Sequence, residues 1–339
     1  MKAAVLYGQE DVRVEEVAKP DIRQGDVLIR VAWGGICGSD MHMLKHPLET
    51  QKKPHSLTGE KLPVVMGHEF SGVIEESKSQ LFQKGDRVCV NPLITCGECE
   101  RCKAGLIGTC KRLGFIGMSV FCEDLLKLRK QSVSLADGAL VEPFAVGWHA
   151  MRVSKIEKGQ SALVLGGGPI GLLTIQCLRA AGVKPIICSE VAQARKSVAI
   201  SCGADYVFDP TSVDLVEEVE KLTNGVGVHC SFECTGVEAC LNQAIRATKF
   251  RGTVVVLSLW GQKPAVDMMA LLHSERYITG SACHTPNDIR DVLDALEKKT
   301  INTDNLITAK ISIEDIVEKG FEALLRNKDN HVKILVGSE

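Results

Sequence analysis

Four cysteines, Cys96, Cys99, Cys102 and Cys110, fall within fifteen residues at the spacing C-x2-C-x2-C-x7-C. Thiols this close cannot all reach one another with good disulfide geometry. They can fold around one tetrahedral ion, as in a closed zinc site of four thiolates. An iron–sulfur cluster is the rival, because C-x2-C-x2-C also opens ferredoxin-type runs; the long final spacing and the lack of a proline after Cys110 count against it. Four thiolates leave no open coordination position, so this cluster can pin a lobe but cannot polarise a substrate.

A second constellation is more dispersed. Gly34–His42 contains Cys37, Ser39, Asp40 and His42; Met66–Glu69 contains His68 and Glu69; Glu142 precedes Pro143. One cysteine, one histidine and one or two carboxylates can hold Zn²⁺ with a position left open, and an open zinc is a Lewis acid for an alcohol oxygen. Taken singly, Cys37 reads as a buried core thiol, His68 as a loop histidine and Glu142 as a helix N-terminal acid. Their occurrence together, ahead of the motif that follows, turns the reading toward a metal.

That motif is Gly166-Gly167-Gly168-Pro169-Ile170-Gly171, a G-x-G-x-x-G directly after a strand-like run and directly before a helix-like one. The first glycine permits a tight turn, the second lets backbone approach a pyrophosphate, and the third packs helix against strand. The helix N-terminus then attracts phosphates. Glu190 lies 19 residues beyond Gly171, near the offset of a carboxylate that binds an adenine ribose, and it would repel a 2′-phosphate, which favours NAD over NADP. Arg195 would soften that preference, although a solvated helix-face arginine is the plainer reading. Cys234, Thr235, Gly236 and Ser258 follow strands on the same side and are candidates to touch the cofactor or to be plain strand-end loops.

The elements that must position these residues change rhythm near residue 150. Before it, short alternating runs (Lys2–Tyr7, Val27–Trp33, Phe70–Glu75, Asp86–Val90) between Gly/Asp turns predict a β-rich domain. After it, apolar runs at Ala162–Leu165, Pro185–Cys188, Tyr206–Phe208, Val228–Phe232 and Thr253–Leu257 alternate with helical periodicity at Leu172–Ala181, Gln193–Cys202, Leu215–Thr223 and Ala239–Thr248. That alternation predicts an α/β unit, a doubly wound parallel sheet with helices on both faces. A helix over Asp288–Lys298 and a final strand over Val332–Val336 complete the chain.

The totals agree. The 339 residues imply about two domains. A net charge of −2 gives no field for nucleic acid or an anionic membrane. The apolar run Ala162–Leu178 is broken by four glycines, Pro169 and Gln176, so no membrane span is expected. Fourteen cysteines behind an N-terminus with no signal-peptide pattern point to reduced thiols and a cytoplasmic setting.

Taken in order, Gly35–His42, Gly67–Glu69, the four-cysteine lobe, Glu142-Pro143 and Gly166–Gly171 resemble the zinc-dependent medium-chain alcohol and polyol dehydrogenases along essentially the whole chain. Within that family, Thr58–Gly72, Leu222–Val228 and Val332–Val336 look most like the 2,3-butanediol branch. Met43 stands where sorbitol and L-idonate dehydrogenases tend to carry Tyr. Ser281–Thr285 lacks the arginine expected of polyol enzymes, which favours a small, less polar substrate. One stretch departs from the family: Ser119–Asp124 replaces a Gly-Gly-Phe-Ala-Glu-Tyr-like segment, and the run to Glu142 is about nine residues short. Part of a strand is expected to be missing there.

The resemblance implies a GroES-like catalytic domain over 1–148 and 286–339 and a Rossmann NAD-binding domain over 149–285. It implies NAD and two zinc ions per chain: a catalytic zinc on Cys37, His68 and one of Glu69 and Glu142, and a structural zinc on Cys96, Cys99, Cys102 and Cys110. Ser39 would pass the substrate hydroxyl's proton toward the cofactor ribose and His42, whose near-neutral pKa suits the solvent end of a relay. The expected reaction is hydride transfer between NAD and a secondary alcohol, 2,3-butanediol or acetoin, with L-idonate, sorbitol or another polyol as the alternative. A non-catalytic dinucleotide-binding protein on the same fold is the alternative of another class. A homo-oligomer, dimer or tetramer, is expected, with Val332–Val336 as a candidate edge strand or the zinc lobe as the contact. His46 and His55 are placed in a polar loop, and Phe144, Trp148 and His149 are expected to pack the helix after Glu142.

Overall fold

The computed structural model of the chain describes residues 1–46, 53–117, 124–128 and 132–337. They form two compact units, Met1–Glu142 with Thr285–Glu339, and Pro143–His284. Nine strands come first: β1 (Lys2–Gly8), β2 (Asp11–Glu16), β3 (Val27–Gly35), β4 (Val64–Val65), β5 (Glu69–Ser77), β6 (Arg87–Asn91), β7 (Leu93–Ile94), β8 (Gly114–Phe115) and β9 (Asp124–Lys127). The second unit supplies β10 (Ala162–Leu165), β11 (Ile186–Ser189), β12 (Tyr206–Phe208), β13 (Val228–Glu233), β14 (Thr248–Val256) and β15 (Tyr277–Gly280). The chain then returns to the first unit with β16 (Ile307–Ser312) and β17 (Lys333–Gly337).

In the first unit the main sheet runs β16-β17-β3-β5-β6-β9, beside a three-stranded β2-β1-β4 and the pair β7-β8. Leu6, Ile36, Met43, Leu44, Phe321 and Ile334 are buried together in its core. Met43, the residue that departs from the polyol pattern, is therefore a core side chain. The strand order corrects one expectation. The Val332–Val336 segment is not an edge, because β17 lies between β16 and β3; Ile307–Ser312, which the alternation reading passed over, takes the edge. Residues 119–123 of the departing segment lie outside the described residues; β9 begins at Asp124 and pairs antiparallel with β6.

In the second unit all six strands are parallel, in the order β12-β11-β10-β13-β14-β15. Ala162–Leu165 is fully buried, because helices cover both faces and a central parallel strand then reads as a continuous apolar run. Leu163, Leu165, Ile187, Val228, Leu241, Ile245 and Val254 share one core. The helix after the glycines spans Pro169–Ala180, a turn earlier than Leu172, because proline is favoured at the first helical position. Thr248–Val256 is longer than the apolar run suggested, and a short helix, Met268–His273, leads into β15. The expected helices otherwise stand at Gln193–Ser201, Leu215–Leu222, Glu238–Ala247 and Pro286–Glu297. Phe144 is buried in the helix Val141–Ser154, with Trp148 and His149 half-buried.

Candidate functional site

The four-cysteine lobe is built on very little regular structure, a one-turn helix Glu100–Lys103 capped by Cys99 and a 3₁₀ turn Ile107–Thr109 leading to Cys110. Its sulfurs nevertheless converge. Cys99–Cys102 and Cys96–Cys110 are 3.5 Å apart, Cys96–Cys102 3.9 Å and Cys99–Cys110 4.0 Å. These spacings are far beyond an S–S bond of about 2.05 Å. They match the ~3.8 Å edge of a tetrahedron with 2.3 Å metal–sulfur bonds. Backbone N–H groups of Cys99 and Cys96 point at Cys96 Sγ and Cys110 Sγ, each at 3.4 Å. Backbone donors from Lys111 and Cys102 pull the Cys99 thiol down to about 6, while burial and the crowding sulfurs push Cys102 up to about 12. All four sulfurs offer a ligand atom within 4.8 Å of one another, a set that could hold one metal ion.

The second constellation is assembled by sheet register. Gly35 ends β3 opposite Glu69, the first residue of β5, and opposite Leu335 of β17. Two residues past Gly35, Cys37 caps the helix Gly38–Lys45, and Asp40 at its third position accepts from the Cys37 N–H at 2.9 Å. Gly67, at φ +108°, turns the chain in a way only glycine adopts readily and delivers His68 beside Cys37. The ligand atoms of Cys37, His68 and Glu69 lie within 4.8 Å of one another.

His68 is 3 % exposed, with Nδ1 3.3 Å from Asp40 Oδ1 and Nε2 3.1 Å from Ser39 Oγ. Burial pulls its pKa down, but the Asp40 carboxylate and the Cys37 thiol outweigh that and hold it well above the usual histidine value. Ser39 and His42 sit three residues apart on one helix, hence on one face; His42 is half-buried, with its ring against exposed His46 at 5.6 Å. His55 is half-buried and contacts Leu113 O through Nε2 at 3.2 Å; residues 47–52, the rest of that polar loop, lie outside the described residues.

Glu142 is buried in the first turn of its helix, but its carboxylate is not among the atoms that converge with Cys37 and His68. The residue that sequence reasoning missed is Lys333. Its ammonium lies 2.6 and 2.8 Å from the two Glu69 oxygens and 3.1 Å from Ile36 O, and it is 3 % exposed. Desolvation lowers its pKa; Glu69, Cys37 and Glu142 together raise it above the ordinary lysine value. A Cβ on Gly35 would run into the Glu69 carboxylate and the Lys333 stem, so glycine is what leaves room for the pair. One signal existed: a lone lysine inside Val332–Val336 needs a buried acid, because an uncompensated buried charge is too costly.

In the second unit the glycine loop has three distinct roles. Gly166 takes φ +98°; a Cβ on Gly171 would collide with Gly166 O; a Cβ on Gly168, the helix N-cap, would meet nothing within 4 Å. The space over Gly168 is what close approach of a pyrophosphate requires. Pro169 and Ile170 are half-buried in the first helical turn. Glu190 is nearly buried, with one oxygen accepting from Gly167 N–H at 2.6 Å and the other from Ala192 N–H at 2.7 Å. Arg195 is half-buried, and its neighbour Lys196 is paired with Asp209 at 2.7 Å. Cys234 donates its N–H to Leu165 O at 3.0 Å, and burial pushes its thiol pKa up. Thr235 and Ser258 both hydrogen-bond Glu233, another residue the sequence reading did not single out.

Comparison with known proteins adds family membership. Residues 23–158 match the alcohol dehydrogenase GroES-like domain and residues 169–298 the zinc-binding dehydrogenase domain. The chain is 37 % identical to (R,R)-butanediol dehydrogenase of Neisseria gonorrhoeae and 38 % identical to that of Bacillus subtilis, over 99 % of this chain and of each relative. The crystal structure of 2R,3R-butanediol dehydrogenase from Bacillus subtilis superposes with a TM-score of 0.92 at 36 % identity, covering 100 % of this chain and 99 % of that one. With a GroES-like unit that brings Cys37, His68 and Glu69 together and a Rossmann unit carrying the glycine loop, the chain belongs to the zinc-binding alcohol dehydrogenase family.

Proposed function

We propose that this enzyme interconverts a vicinal diol and its hydroxyketone with NAD, 2,3-butanediol and acetoin being the pair. The observation that carries the reading is the three-ligand convergence of Cys37, His68 and Glu69 in a chain similar to butanediol dehydrogenases from end to end. Zinc held by these three residues would supply a Lewis acid with a position left for the alcohol oxygen. The nicotinamide would supply the hydride acceptor. The four thiolates of the lobe would hold the second, structural zinc.

The protein's own part is orientation and proton handling. Asp40 Oδ1, 3.3 Å from His68 Nδ1, would orient the ring so that Nε2 could serve the metal. Ser39 Oγ, 3.1 Å from that nitrogen, is placed to accept the substrate's hydroxyl proton and hand it along the helix face to half-buried His42. Lys333 balances the charge of Glu69. Glu142 stays outside the ligand set and acts on the charge of Lys333. Glu190, anchored by two backbone N–H groups, presents a carboxylate to the adenine ribose and repels a 2′-phosphate. The missing arginine in Ser281–Thr285 supports a small substrate over a sugar alcohol.

A homo-oligomer is part of the reading. β15 is a sheet edge without charge, Tyr277 and Ile278 on it are exposed, and so are Met268, Met269 and Leu272 just before it; an unguarded edge of this kind pairs with another strand. No helix of the described residues is long and apolar enough to cross a membrane. The free cysteines support a cytoplasmic location. The test is NADH formation on 2,3-butanediol, sorbitol and L-idonate with NAD and NADP, alongside metal analysis. Turnover of butanediol with NAD and two zinc ions per chain is expected; turnover of the sugar substrates alone, or one zinc and no turnover, overturns the reading.

A further inference from the structure

Glu233 is a fully buried carboxylate at the C-terminal end of β13. One of its oxygens accepts from Thr235 N–H at 2.7 Å, Gly236 N–H at 3.0 Å and Thr235 Oγ1; the other accepts from Ser258 Oγ. A single side chain thus ties down the loops that follow two adjacent parallel strands, β13 and β14. The tie extends further. The Thr235 methyl packs over the position a Cβ would take on Gly166, the first glycine of the loop, and a Cβ on Gly236 would meet Leu259 O. The same two loops run on into Trp260, Gly261 and Lys263, which with Gly236 line a hollow of about 280 Å³. In open parallel sheets, ligands sit outside the carboxyl ends of the strands, which is where all these contacts lie.

We infer that Glu233 is the positioning residue of the cofactor crevice, holding the β13 and β14 loops and the glycine turn in one arrangement so that the dinucleotide meets walls already set. This rests on the dinucleotide-binding reading above. Its energetic sense is preorganisation: the carboxylate makes in advance the ordering that binding would otherwise have to impose. Ser258 and Thr235 then matter through Glu233 whether or not they also touch the cofactor.

The test is NADH affinity by fluorescence titration, with KM for NAD, kcat and thermal stability measured on the same preparations. Glu233→Ala is expected to weaken NADH binding about tenfold or more, since hydrogen bonds to a charged group are lost, with kcat at saturating NAD within about twofold of the parent. Glu233→Gln is expected to restore affinity to within about threefold, because its amide oxygen still accepts from Thr235 and Gly236 and its NH₂ donates to Ser258 Oγ. Should Glu233→Ala not fold, Ser258→Ala, which frees only one carboxylate oxygen, is expected to raise the NADH dissociation constant about threefold. A lower melting temperature with unchanged NADH affinity in these variants makes Glu233 a structural cap only and overturns the inference. Failure of the parent enzyme itself to bind NADH overturns the cofactor reading instead.

Discussion

Replacing Lys333 by Met removes the ammonium and keeps most of the stem's volume. In the parent, Lys333 and Glu69 are 3 % and 1 % exposed and linked through both carboxylate oxygens. Breaking a buried pair by removing one partner costs about 3–5 kcal/mol, because the other charge is left uncompensated. For a unit of this size that is a fall in melting temperature of about ten degrees. The loss has a pH signature. Lys333 is raised above its unfolded value, so its contribution is full below the unfolded lysine pKa of 10.5 and disappears as pH rises through the higher folded value. The gap between parent and Lys333→Met should therefore be wide at neutral pH and close in strong alkali. A metal signature accompanies it: zinc beside Glu69 supplies a positive charge in place of the ammonium, so added zinc should protect the variant more than the parent. Urea unfolding followed by circular dichroism and tryptophan fluorescence, with and without zinc, measures both. A loss below about 1 kcal/mol at neutral pH, insensitive to zinc, would refute the assignment of Lys333 as the counter-ion of Glu69.

Three other outcomes follow from the geometry. Cys99→Ser should lower bound zinc by one ion per chain and reduce stability, while substrate preference among surviving molecules stays the same; metal analysis and a substrate panel check it. Gly171→Ala forces a methyl against Gly166 O, and the displaced turn should cost about 1–3 kcal/mol and weaken NADH binding, measured by denaturation and fluorescence titration. Asp209 is held at about 2, below the ordinary aspartate value of 3.8, first by its hydrogen bond from Lys196. Its contribution is present above the unfolded value and lost as pH falls through the folded one, so Asp209→Asn should flatten the acid limb of a stability profile between about pH 4 and pH 2.

How far the sequence could be read depended on whether the determining contacts were local. The glycine loop was legible residue by residue, because its turn, close approach and helix start are decided within six residues. The four-cysteine lobe was legible for the same reason. Cys37 and His68 were found as types, yet the carboxylate that converges with them was left open between Glu69 and Glu142, because register across β3 and β5 decides it. Lys333 is 264 residues from Glu69, and nothing local marks the pairing beyond a lysine in an apolar run. β16 was passed over and β17 misplaced to an edge, since strand order in a mixed sheet is a long-range property. Glu233 stood next to the residues that drew attention, but only the fold shows four donors gathering on it.

The discontinuity of the first unit bears on the order in which the molecule is made. Pro143–His284 is one uninterrupted stretch and can complete its parallel sheet as it emerges from the ribosome. The metal-site unit cannot. Glu69 is synthesised early, is destined for a place with no water, and waits for an ammonium that arrives 264 residues later on β17. Throughout that interval β3 has one flank open, and Glu69 must stay hydrated or protonated. A nascent chain halted just after His284 would therefore carry a finished second unit and an N-terminal portion whose Glu69 still lacks its counter-ion.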